Sequence, residues 1–164
     1  MNIVLAGMPG SGKSTIAKVL KRDYKKQVVD TDAEIVKNYG VISEIFAKYG
    51  EGHFRQLETE VVKKVSQRNG LVIATGGGCL LREENVEFFK KSSKIVYLRA
   101  TVDTLFKRVE HSHARPLLEG DKRGNLEKLF AVRAPIYEKA ADIVIDTDNL
   151  TPEQVAKEII NKIK

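Results

Sequence analysis

Residues 6–19, AGMPGSGKSTIAKV, constrain this chain more than any other stretch. Gly7, Gly12, Lys13 and Ser14 satisfy the phosphate-binding loop pattern, a glycine, four residues, then Gly-Lys-Ser/Thr. Before the loop, Asn2-Ile3-Val4-Leu5 is a short apolar run that reads as a buried strand. After it, apolar residues at 16, 17, 19 and 20 recur on a helical period. Gly7, Gly10 and Gly12 let the backbone approach an anion closely. Successive N–H groups then form a concave nest for phosphate oxygens, and the positive end of the following helix adds to it. The cradle expected for a nucleotide's phosphates is therefore Gly10, Ser11, Gly12, Lys13, Ser14 and Thr15. Lys13 supplies a point charge, Ser14 offers its hydroxyl to Mg2+, and Thr15 adds a phosphate contact.

The rest of the chain alternates apolar strands with helices. Strands are predicted at 27–30, 71–75, 94–98 and 142–146. Helices are predicted at 33–38, 42–47, 51–68, 82–90, 101–110 and 126–140, with a last one from Thr151-Pro152-Glu153-Gln154 to the C-terminus. Gly40 and Tyr49-Gly50 separate the second to fourth helices, and Asn69-Gly70 is the expected cap after residue 68. This pattern is an α/β fold: one domain over 1–164, with a five-stranded parallel sheet covered by helices on both faces, of the nucleoside-monophosphate-kinase-like, phosphate-loop kinase type. Ligands in such sheets bind beyond the carboxyl ends of the strands. Residues 111–124 hold Pro116, two glycines and many charges, and are expected to form an exposed, mobile lid.

Composition narrows the partners. The net charge is +6 and the sequence pI about 9.3, which suits either nucleic acid or an anionic small molecule. The basic residues are scattered over predicted helix ends with no aromatic stripe among them, so no nucleic-acid partner is expected. No apolar run is long enough to span a bilayer and no signal-like segment leads the chain, so no membrane partner and a cytoplasmic location are expected, as a monomer. The single cysteine, Cys79, reads as a small buried residue. His53, His111 and His113 lack metal-ligand spacing.

Further candidates cluster after the second and third strands. Asp30 and Asp32 are two carboxylates at a strand end; one can hold Mg2+ through water and the other can accept a proton from a hydroxyl. Read without the phosphate loop, they would be ordinary turn aspartates. Gly76-Gly77-Gly78 exceeds what a turn needs, and three glycines let a ligand rest against the backbone. Arg55 lies one turn into its helix and alone could be a surface arginine. Arg115 sits in the lid, where it can swing over phosphates, and Arg133 stands mid-helix beside Pro135, an expected kink.

These motifs together resemble shikimate kinases over the whole length. They stand here as Gly7–Thr15, Asp30-Thr31-Asp32, Gly50-Glu51 with Phe54-Arg55 and Glu58, Gly76-Gly77-Gly78, Arg115-Pro116-Leu117-Leu118, and Arg133 with Tyr137. The resemblance implies transfer of the γ-phosphate of ATP, with Mg2+, to the 3-hydroxyl of shikimate. It implies Asp32 as base and ligand of the ring hydroxyls, and Asp30 in the outer shell of Mg2+. It implies Arg55 and Arg133 as ligands of the substrate carboxylate, and Gly76, Gly77 and Gly78 as the substrate-facing backbone. It implies Lys13 and Arg115 as charge neutralisers, with Arg108 packing on adenine and Pro152 on its other side. The substrate segment would run over about 31–60. Cys79 stands where the family has a small residue, so it could lie near the substrate. Gluconate kinase is the alternative among small-molecule kinases; the arginine pair and the glycine triplet favour a carboxylated ring. A nucleotide switch or nucleic-acid motor is the alternative from another class, and no guanine-reading motif supports it.

Overall fold

The computed structural model describes residues 1–111 and 118–164. Five strands form one parallel sheet: β1 (Asn2–Ala6), β2 (Gln27–Asp30), β3 (Leu71–Ala74), β4 (Ser93–Arg99) and β5 (Ile143–Asp146), in the order β2-β3-β1-β4-β5. The register sets Leu5 and Asp30 both level with Ala74. Strands β2, β3 and β1 therefore end side by side.

Alternation along the strands divides the core. Val4, Ala6, Leu71, Ile73, Ile95 and Tyr97 face one apolar cluster, which takes in side chains of α3 (Ile42–Ser66), α4 (Glu83–Ser92) and α6 (Lys122–Ala140). Ile3, Leu5, Val72, Val96 and Leu98 face the other, with α1 (Lys13–Tyr24) and α7 (Pro152–Ile163). A period of two on each strand against a helical stripe on each side is what a doubly covered parallel sheet requires. Two more helices, α2 (Thr31–Tyr39) and α5 (Val102–Val109), complete the set used below.

Local chemistry sets the ends. Asp30 caps α2, its carboxylate accepting the Ala33 N–H at 3.0 Å. Thr151 and Gln154 form a reciprocal capping box at α7, with Pro152 at the first helical position. Several expectations are corrected, among them the start of α2, at Thr31 rather than 33. The long helix ends at Ser66, before Asn69-Gly70, because Gln67 and Arg68 already bond back to the Lys64 and Val65 carbonyls. Helix α6 starts at Lys122 rather than 126, because Asp121 accepts the Gly124 N–H and caps it. It continues through Pro135 to Ala140. The segment expected to be exposed over 111–124 includes Leu118, which is buried in the core; residues 111 and 119–121 are exposed, 122–124 already belong to α6, and 112–117, with Arg115 and His113, lie outside the described residues.

Candidate active site

The phosphate loop joins β1 to α1. Gly10 and Gly12 have φ of 83° and 96°, as the loop pattern demands. Gly12 is the residue before α1 and offers no capping side chain, so the first amides of that helix face the loop uncapped. Ser11 N–H bonds the Met8 carbonyl at 3.0 Å, closing the loop. The Lys13 ammonium folds back and donates to the Gly7 carbonyl. Beside the loop lies a cleft of about 190 Å³ lined by Ser11, Gly12, Thr15, Arg108, Thr147 and Pro152, among others. Arg108 is held there by the Gly10 carbonyl at 3.1 Å and by Thr147.

The other half of the site stands over the exit of β3. The Thr31 hydroxyl, in the first turn of α2, accepts the Gly76 N–H at 2.9 Å. Sequence reading missed Thr31; its place between two aspartates after a strand was the available signal. It also missed Thr147, which has no local motif.

Each glycine of the triplet makes room for a different side chain. A Cβ on Gly76 would meet Asp32 Oδ1 at 2.6 Å. One on Gly77 would meet Arg133 Nη1 at 2.7 Å. One on Gly78 would fall between 2.5 and 2.7 Å from three atoms of the Arg55 guanidinium. The room expected for a ligand is thus first taken by Asp32, Arg133 and Arg55, from α2, α6 and α3. Spacing along the chain could not show this.

The charges around the turn are unequal. Burial pushes the Asp32 carboxyl above its ordinary range, and the Asp30 charge adds to that, while Lys13 and Arg55 oppose it. Burial likewise pushes Glu58 up, against the pull of Arg55. Glu58 is 1% exposed and accepts from Arg55 Nη1 at 3.0 Å; Glu51 lies 3.6 Å from Arg55 Nε on the solvent side. Arg133 is 6% exposed, and among the described residues it forms no ion pair with an acid. Its neighbour is the Tyr137 hydroxyl, which donates to the Gly77 carbonyl at 2.7 Å. A buried cation with no anion is costly, and such a site is poised for an anionic ligand. Cys79 is fully buried under the turn, so it packs the floor and does not face a ligand.

The model of the family described as "Shikimate kinase" matches residues 9–164. The chain belongs to the shikimate kinase family. A shikimate kinase of Caldicellulosiruptor bescii is 43% identical over 162 residues, covering 98% of this chain and 94% of that one. One of Thermodesulfovibrio yellowstonii is also 43% identical, over 163 residues, with 98% and 94% covered. Among solved structures, the shikimate kinase of Acinetobacter baumannii in complex with shikimate superposes with a TM-score of 0.90, at 35% identity over 99% of this chain and 92% of that chain. The fold is that of the family, a five-stranded parallel sheet flanked by helices.

Proposed function

We propose that this protein transfers the γ-phosphate of ATP to the 3-hydroxyl of shikimate, giving shikimate 3-phosphate and ADP for aromatic amino-acid biosynthesis. Family membership makes it an ATP-dependent kinase. The observation that carries the acceptor is Arg133, a buried guanidinium with no acid paired to it among the described residues, next to Arg55 over one glycine turn. The phosphates have their own cations, so this second positive pocket needs an anion on the acceptor. A carboxylate on a ring matches two guanidinium forks. Gluconate also carries a carboxylate but no ring, and the family match is to shikimate kinases.

The roles follow from position. Asp32, ionised, accepts the proton of the 3-hydroxyl as that oxygen bonds the γ-phosphorus and the bond to the β-phosphate oxygen breaks. Its carboxyl, raised by burial, is a better proton acceptor than an ordinary aspartate at neutral pH. Lys13 and the loop amides hold the charge that passes to ADP. Adenine lies in the cleft with Arg108 on one side and Pro152 on the other. Arg115, outside the described residues, is assigned to the phosphates by resemblance alone, as is the lid over 111–124.

A Mg2+ ion fits the donors present. Among the described residues no cluster of three acids or histidines could cage a metal. Ser14 and Asp30 offer one hydroxyl and one carboxylate, and the latter already accepts the Ala33 N–H. Sparse protein donors suit an ion that keeps waters and phosphate oxygens in its shell. Bound there, Mg2+ would neutralise phosphate charge. No helix among the described residues is long and apolar enough to cross a membrane. A cytoplasmic monomer without nucleic acid completes the reading.

Coupled ADP release tests it, with shikimate and then gluconate as acceptor. Turnover with shikimate and none above background with gluconate is expected; the reverse order would overturn the assignment. A shikimate carboxamide isolates the carboxylate contact. Arg133→Ala and the amide should each weaken acceptor binding by about 2–5 kcal/mol, and together by much less than the sum.

A further inference from the structure

Arg55 is held differently from its two partners over the glycine turn. Asp32 stands at the start of α2, and Arg133 is buried against Tyr137. Arg55 is part-exposed, on α3, only five residues beyond the interruption of that helix at Gly50. A long side chain there needs its backbone fixed if its guanidinium is to stay over Gly78.

Arg82 provides that fixing. Its Nη1 donates to the Arg55 carbonyl at 3.1 Å, to the Thr59 hydroxyl at 2.9 Å and to Gln56 Oε1 at 3.3 Å. The Thr59 hydroxyl donates in turn to the same Arg55 carbonyl at 3.1 Å. Arg82 occupies the cap position of α4, where the positive end of the helix opposes a cation. Among the described residues it has no ion-pair partner, so charge alone does not explain an arginine there. Its geometry does. The five residues Gly78–Arg82 hold Arg55 at both ends: Gly78 leaves space for the guanidinium and Arg82 holds the backbone carbonyl. Arg82 also acts on Glu58, the ion-pair partner of Arg55: burial pushes that carboxyl up, and Arg55 and then Arg82 oppose the shift.

We propose that Arg82 is a positioning residue for acceptor binding: it ties the Arg55 turn of α3 to the exit of β3 and keeps the Arg55 guanidinium in place over Gly78. This rests on the reading of Arg55 as a carboxylate ligand. All three bonds leave from the one Nη1, and a lysine ammonium at 82 ends one bond short of that nitrogen, so it can reach some of the three acceptors but not hold all of them as Arg82 does.

The test is steady-state kinetics on Arg82→Ala, Arg82→Lys, Arg55→Ala and the double variant Arg55→Ala/Arg82→Ala. Arg82→Ala should raise KM for shikimate about tenfold, as expected when a reacting group is displaced, with kcat and KM for ATP within about twofold. Arg82→Lys should recover part of that rise. In the Arg55→Ala background, Arg82→Ala should add little, because its route to the substrate is gone. A merely structural role would lower the melting temperature and the active fraction while leaving KM for shikimate unchanged, and that result overturns the inference. If Arg55→Ala weakens shikimate while both Arg82 variants match the parent, only the positioning role fails. If Arg55→Ala itself leaves KM unchanged, the carboxylate reading fails and Arg82 falls with it. Should Arg82→Ala not fold, Arg82→Lys alone decides by the same split.

Discussion

Asp32 shows at the scale of one residue how function opposes stability. Its folded pKa lies above the value it has in the unfolded chain, chiefly through burial. Between those two values the folded protein holds more protons, so stability falls as pH rises through the window and stays lower above it. Asp32→Asn should therefore melt at a higher temperature than the parent at pH 7, with phosphoryl transfer lost. The gain should shrink as pH falls through the carboxylate range, where the parent is protonated in both states. Thermal melts at pH 7 and near pH 4 check this; an equal gain at both would mean the carboxyl is not raised. The glycine triplet makes a second prediction. Each added methyl pushes a different flexible side chain. Gly76→Ala should displace Asp32 and lower kcat by about a hundredfold, while Gly78→Ala should displace Arg55 and act mainly on KM for shikimate. Identical kinetic profiles for the two would refute the pairing. The residues of this turn were legible by type: Asp32, Arg55, Arg133 and the three glycines all stand out in the sequence, and the fold brings them together. Their pairing was not, because Gly77 and Arg133 are 56 positions apart and only the fold makes them neighbours. Arg82 was missed for a related reason. It looked like one more charge at a helix start, and only the unfavourable sign of that charge hinted otherwise.

Among elements, α3 carries the site and is the one most shaped by a break. Gly50 has φ 84° and ψ 174°, a region open essentially to glycine. The break separates Ile42–Tyr49 from the rigid stretch that bears Phe54, Arg55 and Glu58, all fixed by burial or by Arg82. No atom lies within 4 Å of a Cβ built at Gly50, so substitution there meets backbone strain and nothing else. Gly50→Ala should lower unfolding free energy by about 1–3 kcal/mol in urea titration. A loss below about 0.5 kcal/mol would mean that the break relaxes into ordinary helix when the glycine is removed. The strands, α1 and the α7 capping box were readable because their signals are local: apolar runs, a helical period, Thr151 three residues before Gln154. The starts of α2 and α6 were read late by two and four residues, because capping by Asp30 and Asp121 recruits polar residues that carry no periodic signal.

At the scale of the whole molecule, the proposed function divides its ligands between two places, a nucleotide cleft and an acceptor turn. The nucleotide cleft draws on α1, α5 and α7 through Ser11, Thr15, Arg108 and Pro152. The acceptor turn draws on α2, α3 and α6 through Asp32, Arg55 and Arg133, and shares none of those residues. Lys13, at the junction of the phosphate loop and α1, links the two, acting on the Asp32 carboxyl. The unliganded fold therefore carries the burden of Arg133, buried and, among the described residues, without an acid in ion-pair contact. Replacing it with methionine removes that charge and keeps an unbranched chain in the space, while Tyr137 keeps its bond to Gly77. Arg133→Met should leave the free protein as stable as the parent or more so, by up to about 4 kcal/mol. Shikimate at about 100 times its Kd should stabilise the parent by about 2.7 kcal/mol. For a chain of this size that raises the melting temperature by roughly 5–10 °C. The variant should lose that shift and keep the one produced by ADP, whose cleft lies elsewhere. A variant that is destabilised without ligand yet still shifted by shikimate would mean that Arg133 is a structural cation, satisfied by Tyr137, and that the acceptor's carboxylate is held by Arg55.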